Sequence, residues 1–129
     1  EVPSRGLGDV YKRQVLLIGQ NTYERTKDDF FYLKIDDLAV KGKTVGIGIW
    51  TVLDDVKPAW RTPKRYHEDM HKAYKAQKFD EAIWIAQKIE NHFDGKMKGY
   101  YKMWIERCEY MMTQDLPKDW NGVFIATTK

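Results

Sequence analysis

The stretch DDLAVKGKTVGIGIWTVL, residues 36–53, predicts two short β-strands joined by a tight turn at Lys41-Gly42-Lys43. Apolar residues recur at every second position from Val45 to Ile49, and this period of two predicts a strand that packs one face on a core. Two glycines, Gly46 and Gly48, occupy the opposite face, where they let another backbone or a ligand approach closely.

The lysine turn is open to two interpretations. Lys41-Gly42-Lys43 can be a solvated hairpin turn in which glycine supplies the permissive backbone. Alternatively, Lys41 projects a compact positive charge toward a polyphosphate. Spacing alone leaves both interpretations open.

Composition and charge narrow the class of protein. The chain has 129 residues, enough for one domain or two very small ones, and its 43% hydrophobic and 32% charged residues are typical of folded proteins. A net charge of +3 is too small and too scattered along the chain to argue for nucleic-acid binding, and no nucleic-acid partner is expected. The single cysteine, Cys108, excludes an internal disulfide and fits a reducing compartment. No apolar run approaches the roughly 20 residues that span a bilayer.

Composition also divides the chain into four parts. Residues 1–14 show no helical or strand periodicity and resemble translated adapter sequence, so they are left out of the fold prediction. Residues 15–53 predict short strands around a brief helix that begins near Asn21. Residues 54–62 predict a linker, because proline recurs on both sides of Trp60. Residues 63–129 predict a helical tail, so the fold class is α+β, a small antiparallel sheet followed by a helical bundle.

Three helices are predicted in the tail, each with an apolar stripe that needs a neighbour. The first begins at Pro63 and the second near Phe79, where Phe79 and Trp84 have the spacing of a hydrophobic staple. The third carries its stripe on Tyr101, Trp104, Ile105, Cys108 and Met112. Because Cys108 lies on this stripe with no histidine fixed beside it, we expect core packing rather than a nucleophile.

The run His67-Glu68-Asp69-Met70-His71 matches the HExxH zinc signature. On a helix His67 and His71 would share a face and could bind one metal, with Glu68 activating water and Glu90 or His92 as a third ligand. However, Asp69 and Lys72 predict a solvated face, and little chain remains to build a substrate cleft. The sequence therefore favours a solvated helix over a zinc hydrolase.

The first half of the chain resembles the final segment of the catalytic domain of class III adenylate/guanylate cyclases. The residues that carry the resemblance are the apolar strand Val15–Gly19, the pair Thr22-Tyr23, Phe30, Asp36, the turn Val40-Lys41-Gly42-Lys43 and Ile49-Trp50. The stretches KRYHEDMHKAYKAQKFDEAIWIAQKI, YYKMWIERCEYM and LPKDWNGVFIATTK are similar to the helical tail, reminiscent of tetratricopeptide repeats, that follows the cyclase domain in bacterial enzymes. Together the two parts cover nearly everything after residue 14.

The resemblance implies a function for one residue of the turn. The family converts ATP or GTP to the 3′,5′-cyclic nucleotide and pyrophosphate. Lys41 matches the lysine that holds the terminal phosphates, and Lys43 is a weaker candidate. The aspartates that bind Mg²⁺ or Mn²⁺ and the catalytic Asn/Arg pair have no match in this sequence, and Asp36 and Asp37 match no metal position. The chain on its own is therefore expected to be inactive and to bind no metal.

The resemblance also implies partners and location. The intact enzyme would bind ATP or GTP and form a homodimer through its cyclase domain, while the helical tail could bind a protein partner. A cytoplasmic location is expected, with an anchor in the inner membrane supplied by transmembrane helices upstream. The alternative from the residues alone is a helical interaction module, in which a groove between the apolar stripes takes a peptide or a second copy of the chain.

Overall fold

A computed structural model describes residues 16–40, 46–55 and 57–126. The adapter-like segment 1–14 and both lysines of the turn lie outside the described residues. The described part of the chain forms two compact units. One holds the residues up to Lys57 together with those from Val123 onward, and the other is Pro58–Gly122.

The first unit is a four-stranded sheet with one short helix. Its elements are β1 (Ile18–Gly19), α1 (Gln20–Thr26), β2 (Phe30–Val40), β3 (Ile47–Asp55) and β4 (Phe124–Ala126). The strand order is β1-β3-β2-β4. The first three strands are antiparallel, and β4 runs parallel to β2. The α+β fold class with a small antiparallel sheet is thus confirmed.

Strands β2 and β3 form the predicted hairpin. Their register pairs Phe30 with Asp55 at one end and Leu38 with Ile47 at the other, so the lysine turn joins their adjacent ends. Two bulges interrupt the register, and Leu33, Ile35 and Asp36 are buried in β2. The predicted packing face of β3 is only partly correct, because Ile49 is buried whereas Ile47 is 55% exposed.

The second unit consists of helices. A single 3-10 turn, Pro58–Trp60, leads into α2 (Arg61–Lys75), which is followed by α3 (Phe79–Ile89), a 3-10 turn at Phe93–Gly95 and α4 (Lys98–Met111). The sequence predicted three helices in these positions, and their existence is confirmed. Helix α3 packs against both α2 and α4, since the short connections leave each helix beside its neighbour in sequence.

Aromatic side chains fill the core of the helical unit. Tyr74 of α2 contacts Trp104 of α4, and their ring centroids are 4.5 Å apart. Earlier along both helices, His67 contacts Tyr101, so α2 and α4 run in the same direction. The buried side chains of the three helices include Met70, Ala73, Tyr74, Phe79, Ala82, Ile85, Ala86, Ile89, Tyr100, Tyr101, Trp104 and Cys108.

Two predicted packing positions in the helices are wrong, the staple partner Trp84 and the stripe residue Met112. Trp84 is 58% exposed and cannot staple Phe79, which is buried. Helix α3 begins at Phe79 itself, so Trp84 falls on the solvent side of the helix, whereas Ile85 faces the core. In α4 the stripe ends on Met111, and Met112 lies just past the helix end with 56% of its surface exposed.

The end of the chain differs from the predicted helical tail. Residues 124–126 form β4 and group with the sheet unit, although the sequence assigned all of 63–129 to the tail. The pairing joins Leu38 to Phe124 and Ala39 to Ile125 across more than half of the chain length. Such a distant partner leaves no local signal beyond the apolar run VFIA.

Candidate functional site

The lysine turn joins two strands whose ends the structure describes. Leu38 at the end of β2 pairs with Ile47 at the start of β3, which brings the two flanks of the turn side by side. Lys41 and Lys43 themselves lie outside the described residues, so their role as phosphate ligands stays a prediction. The structure thus describes the strand ends on either side of this candidate site, at Leu38 and Ile47.

Charged side chains at the base of the turn have partners within the sheet unit. Lys34 and Asp37 form an ion pair with an N–O distance of 2.9 Å, and both are partly exposed. The buried carboxylate of Asp36 accepts a hydrogen bond from the backbone N–H of Asp37 at 2.9 Å. Both carboxylates thus take part in contacts within the sheet unit.

A polar and aromatic cluster covers the same part of the sheet. The indole N–H of Trp50 donates a hydrogen bond of 2.7 Å to the side-chain oxygen of Gln20. Tyr23 stacks on Trp50, with ring centroids 3.5 Å apart and ring planes 5° from parallel. The absence of a side chain at Gly48 makes room for Gln20, because a Cβ at this position would collide with the side-chain oxygen of Gln20. The sequence predicted that another backbone or a ligand could approach these glycines, whereas the group that approaches Gly48 is a side chain of α1.

The HExxH residues lie on α2, and the prediction of a solvated face is wrong for its first histidine. His67 is 1% exposed, and its Nδ1 shares a hydrogen bond of 2.7 Å with the hydroxyl of Tyr101. The structure buries His67 because α4 packs over this side of α2, which the neighbouring charges Asp69 and Lys72 did not indicate. Glu68 is exposed, on a different side of the helix from His67.

His71, the second histidine of the motif, also contacts α4. Its Nε2 shares a hydrogen bond of 3.1 Å with the hydroxyl of Tyr100, and its ring lies 4.7 Å from that of Trp104. The two histidine rings are neighbours, with centroids 4.7 Å apart. The motif therefore joins α2 to α4 through paired His–Tyr contacts. Among the described residues, no group of three or more His, Cys, Asp or Glu side chains is placed to hold a metal ion.

Burial perturbs two titratable groups of α4. Burial raises the pKa of the Tyr101 phenol well above its usual value, so this hydroxyl stays protonated next to His67. Burial likewise raises the pKa of the Cys108 thiol to about 12; the nearby Arg107 charge lowers it and Glu109 raises it further. The side chain of Cys108 is 1% exposed, so the prediction that it packs in the core is confirmed.

Arg107 is a buried charged residue that sequence reasoning missed. This side chain is 6% exposed, and its guanidinium carbon lies 4.9 Å from the ring centroid of Trp104. The two residues are three positions apart on α4, a spacing that places them on one face and that could have signalled the contact. The guanidinium thus extends the aromatic core of the helical unit.

Sequence reasoning also missed the partner of the hairpin. Strand β4 pairs with Leu38, Ala39 and Val40, the three residues immediately before the turn. Gly46 is the first described residue after the turn. A Cβ placed on it would lie 2.7 Å from Cγ2 of Val123. The two ends of the turn are therefore both in contact with the last described residues of the chain.

Comparison with known proteins gives no relative from which to assign a family. No protein-family model, curated protein or solved structure matches the chain. None of the helices in the described part of the chain is both long and apolar enough to cross a membrane.

Proposed function

We propose that this chain is the C-terminal part of a bacterial class III nucleotidyl cyclase, comprising the last strands of the catalytic domain and a helical segment. The intact enzyme would convert ATP or GTP to a 3′,5′-cyclic nucleotide and pyrophosphate for signalling in the cytoplasm. It would work as a homodimer through the cyclase domain.

The observation that carries the proposal is the order of elements around the lysine turn. A strand, a short helix bearing Thr22-Tyr23, a strand beginning at Phe30 and a final strand through Ile49-Trp50 follow one another in the described sheet. The resemblance requires the same order, with the turn between the last two strands. A turn between these two strands requires their adjacent ends to lie side by side, and the antiparallel pairing of Leu38 with Ile47 provides this arrangement.

Lys41 is the residue that we propose for substrate binding. A lysine held over a triphosphate offsets the negative charge that grows on the leaving pyrophosphate. Lys43 lies on the other side of Gly42 and is the weaker candidate. Their separation by one glycine lets the two be compared directly by mutation.

The described residues do not fit the catalytic metal of the family. Asp36 is buried against the backbone of Asp37, and Asp37 is paired with Lys34. Mg²⁺ or Mn²⁺ would therefore be held by residues outside this segment, together with the Asn/Arg pair. We accordingly expect purified residues 1–129 to form no cyclic AMP with Mn²⁺ and ATP. Measurable turnover would contradict this account of the missing residues.

A hybrid enzyme tests the role of the turn. Residues 15–53 replace the final segment of the catalytic domain in an active class III cyclase, and cyclic nucleotide formation is measured. We expect the hybrid to be active, and Lys41→Ala to lower its kcat/KM by about a hundredfold, the magnitude of losing one charged contact to a developing anion. Lys43→Ala should have a smaller effect, and Lys27→Ala, at an exposed lysine beyond α1, should have none.

The outcome that refutes the proposal is specific. A hybrid that folds and dimerises but has no activity would show that residues 15–53 are not the end of such a domain. An active hybrid in which Lys41→Ala behaves as Lys27→Ala does would remove the phosphate role from the turn.

A helical interaction module is the second candidate, and one observation favours it. Trp84 is 58% exposed in the middle of α3, and the ammonium of Lys88 lies 5.0 Å from its ring centroid and 5.3 Å from that of Tyr66. Exposed aromatic residues are enriched at binding surfaces. If this surface joins two copies of the chain, Trp84→Ala should convert a dimer to a monomer in sedimentation equilibrium, with the secondary structure unchanged.

A further inference from the structure

The segment that follows α4 folds back onto the corner between α2 and α3. Helix α4 ends at Met111, and the residues from Pro117 to Gly122 then lie against the end of α2 and the start of α3, within the same compact unit. Pro117, Trp120 and Gly122 each contact this corner. We name residues 117–122 the clasp.

The indole ring of Trp120 is the centre of this attachment. Its centroid lies 5.1 Å from the ring of Tyr74 and 5.9 Å from the ring of Phe79, with both ring pairs steeply inclined, an arrangement that aromatic pairs prefer. The rings of Tyr74 and Phe79 are 5.5 Å apart, and both residues are buried, whereas Trp120 is half-buried. The corner therefore presents two aromatic rings side by side, and the clasp supplies the ring that covers them.

A hydrogen bond holds the clasp next to its tryptophan. The side-chain amide of Gln77 donates to the backbone carbonyl of Pro117 at 2.7 Å, and the backbone N–H of Trp120 donates to the same carbonyl at 3.2 Å. This carbonyl thus closes a turn over residues 117–120 and ties the turn to the α2–α3 connection. The corner recognises an indole ring together with a backbone carbonyl three residues before it.

Gln77 occupies a backbone position that favours glycine. Its φ is 62°, in the left-handed region, and it follows the end of α2, where the N–H of Lys78 donates to the carbonyl of Ala73 at 2.8 Å. This is the position after a helix at which glycine is the most frequent residue, because other residues are strained there. A glycine would remove the strain but also the amide that binds Pro117. The side chain of Gln77 therefore gives the corner a contact with the clasp that glycine could not make.

The clasp has no helix or strand of its own. Residues 112–122 consist of turns and irregular chain, and residues 112–115, which connect α4 to the clasp, are exposed. A segment held by a few side-chain contacts opens locally with less free energy than the helices beneath it. The clasp can therefore leave the corner while α2, α3 and α4 stay folded.

We propose that the α2–α3 corner is a binding site for a tryptophan-bearing peptide of a partner protein, and that the clasp occludes this site. When the clasp opens, Tyr74 and Phe79 receive the indole ring of the partner, and Gln77 donates to its backbone carbonyl. The clasp is the prototype of the ligand, because it supplies both groups in the closed state. The site lies within the helical unit and does not depend on the function proposed for Lys41.

A peptide binding experiment on the full chain tests this site. The probe is a fluorescently labelled peptide of residues 116–122, and its binding is followed by fluorescence anisotropy. Trp120→Ala removes the ring that closes the site, so we expect this variant to bind the peptide at least about tenfold more tightly than the wild type does, in which only the open fraction is competent. Trp84→Ala is the matched control, because it removes an exposed tryptophan and leaves the clasp intact. It should bind as the wild type does.

Two further measurements test the chemistry of recognition. The same peptide with Trp120→Ala should not bind to the opened chain. In the Trp120→Ala background, Gln77→Ala should weaken binding of the unaltered peptide by about two- to tenfold, the effect of one neutral hydrogen bond. Gln87→Ala, at an exposed glutamine further along α3, should have no effect.

The proposal is overturned if the Trp120→Ala chain does not bind the peptide, or if the wild type binds it equally well. Should Trp120→Ala fail to fold, hydrogen–deuterium exchange of the wild type tests the opening of the clasp. The amides of residues 118–122 should then exchange at least about tenfold faster than those in the middle of α4. Exchange as slow as in α4 would show that the clasp opens only when the helices unfold, which also overturns the proposal.

Discussion

Tyr101→Phe removes one hydroxyl from the centre of the helical unit and should destabilise it measurably. The hydroxyl shares a 2.7 Å hydrogen bond with Nδ1 of His67, and the two residues are 0% and 1% exposed. Water cannot replace the lost partner at this depth. Leaving one member of a buried hydrogen bond without the other costs about 1–3 kcal/mol, so the free energy of unfolding should fall by that amount.

Urea unfolding followed by far-UV circular dichroism measures this change, because the helices dominate the signal. Tyr110→Phe is the matched control: the same hydroxyl is removed from α4, at a residue that is 58% exposed. Its effect should stay within about 0.5 kcal/mol, as for other surface substitutions. The slope of the free energy of unfolding against urea concentration should be the same in both variants, because neither substitution changes the surface exposed on unfolding.

A double-mutant cycle separates the hydrogen bond from the packing. His67→Phe leaves the Tyr101 hydroxyl without this partner, and the double variant with Tyr101→Phe replaces both members by apolar rings. The double variant should therefore be less destabilised than the sum of the single variants, by about 1 kcal/mol or more. Strict additivity, or a Tyr101→Phe effect no larger than that of Tyr110→Phe, would refute the argument that the HExxH motif is held by its tyrosine contacts.

Three further predictions follow from burial and close contact. Cys108, with its pKa raised to about 12, should resist alkylation at mildly alkaline pH in the folded chain and react fully in urea. Burial raises the pKa of Cys108 above its unfolded value of 9.0, so the stability that the protonated thiol contributes is fully present below about pH 9 and is lost as the pH rises toward 12. Cys108→Ala should therefore weaken the dependence of the urea midpoint on pH in this range. Gly48→Ala should destabilise the sheet by about 1 kcal/mol, because the new Cβ displaces the side-chain oxygen of Gln20 from its hydrogen bond with Trp50. Gly19→Ala, with nothing within 4 Å of the added Cβ, should not, as measured by urea unfolding followed by tryptophan fluorescence.

Local periodicity was enough to predict strand β3 and the three helices of this protein. The alternation that begins at Val45 predicted a strand, and the apolar stripes after Pro63 predicted three helices, because side chains on one face of an element repeat with a fixed spacing. The burial of Cys108 followed from the same stripe. For the candidate site, the two strands beside the turn were predictable, while the role of Lys41 depends on a resemblance and stays a proposal.

Only the tertiary structure decided which faces meet and what completes the sheet. The sequence around His67 indicates a charged helix, yet Tyr101 packs against it and buries it. Trp84 is apolar and is nevertheless exposed, because it lies off the face of α3 that carries the buried residues Ile85 and Ile89. The pairing of Phe124 with Leu38 joins strands that are far apart in the chain. Periodicity reports the face of one element, whereas pairing depends on which distant surface fits it.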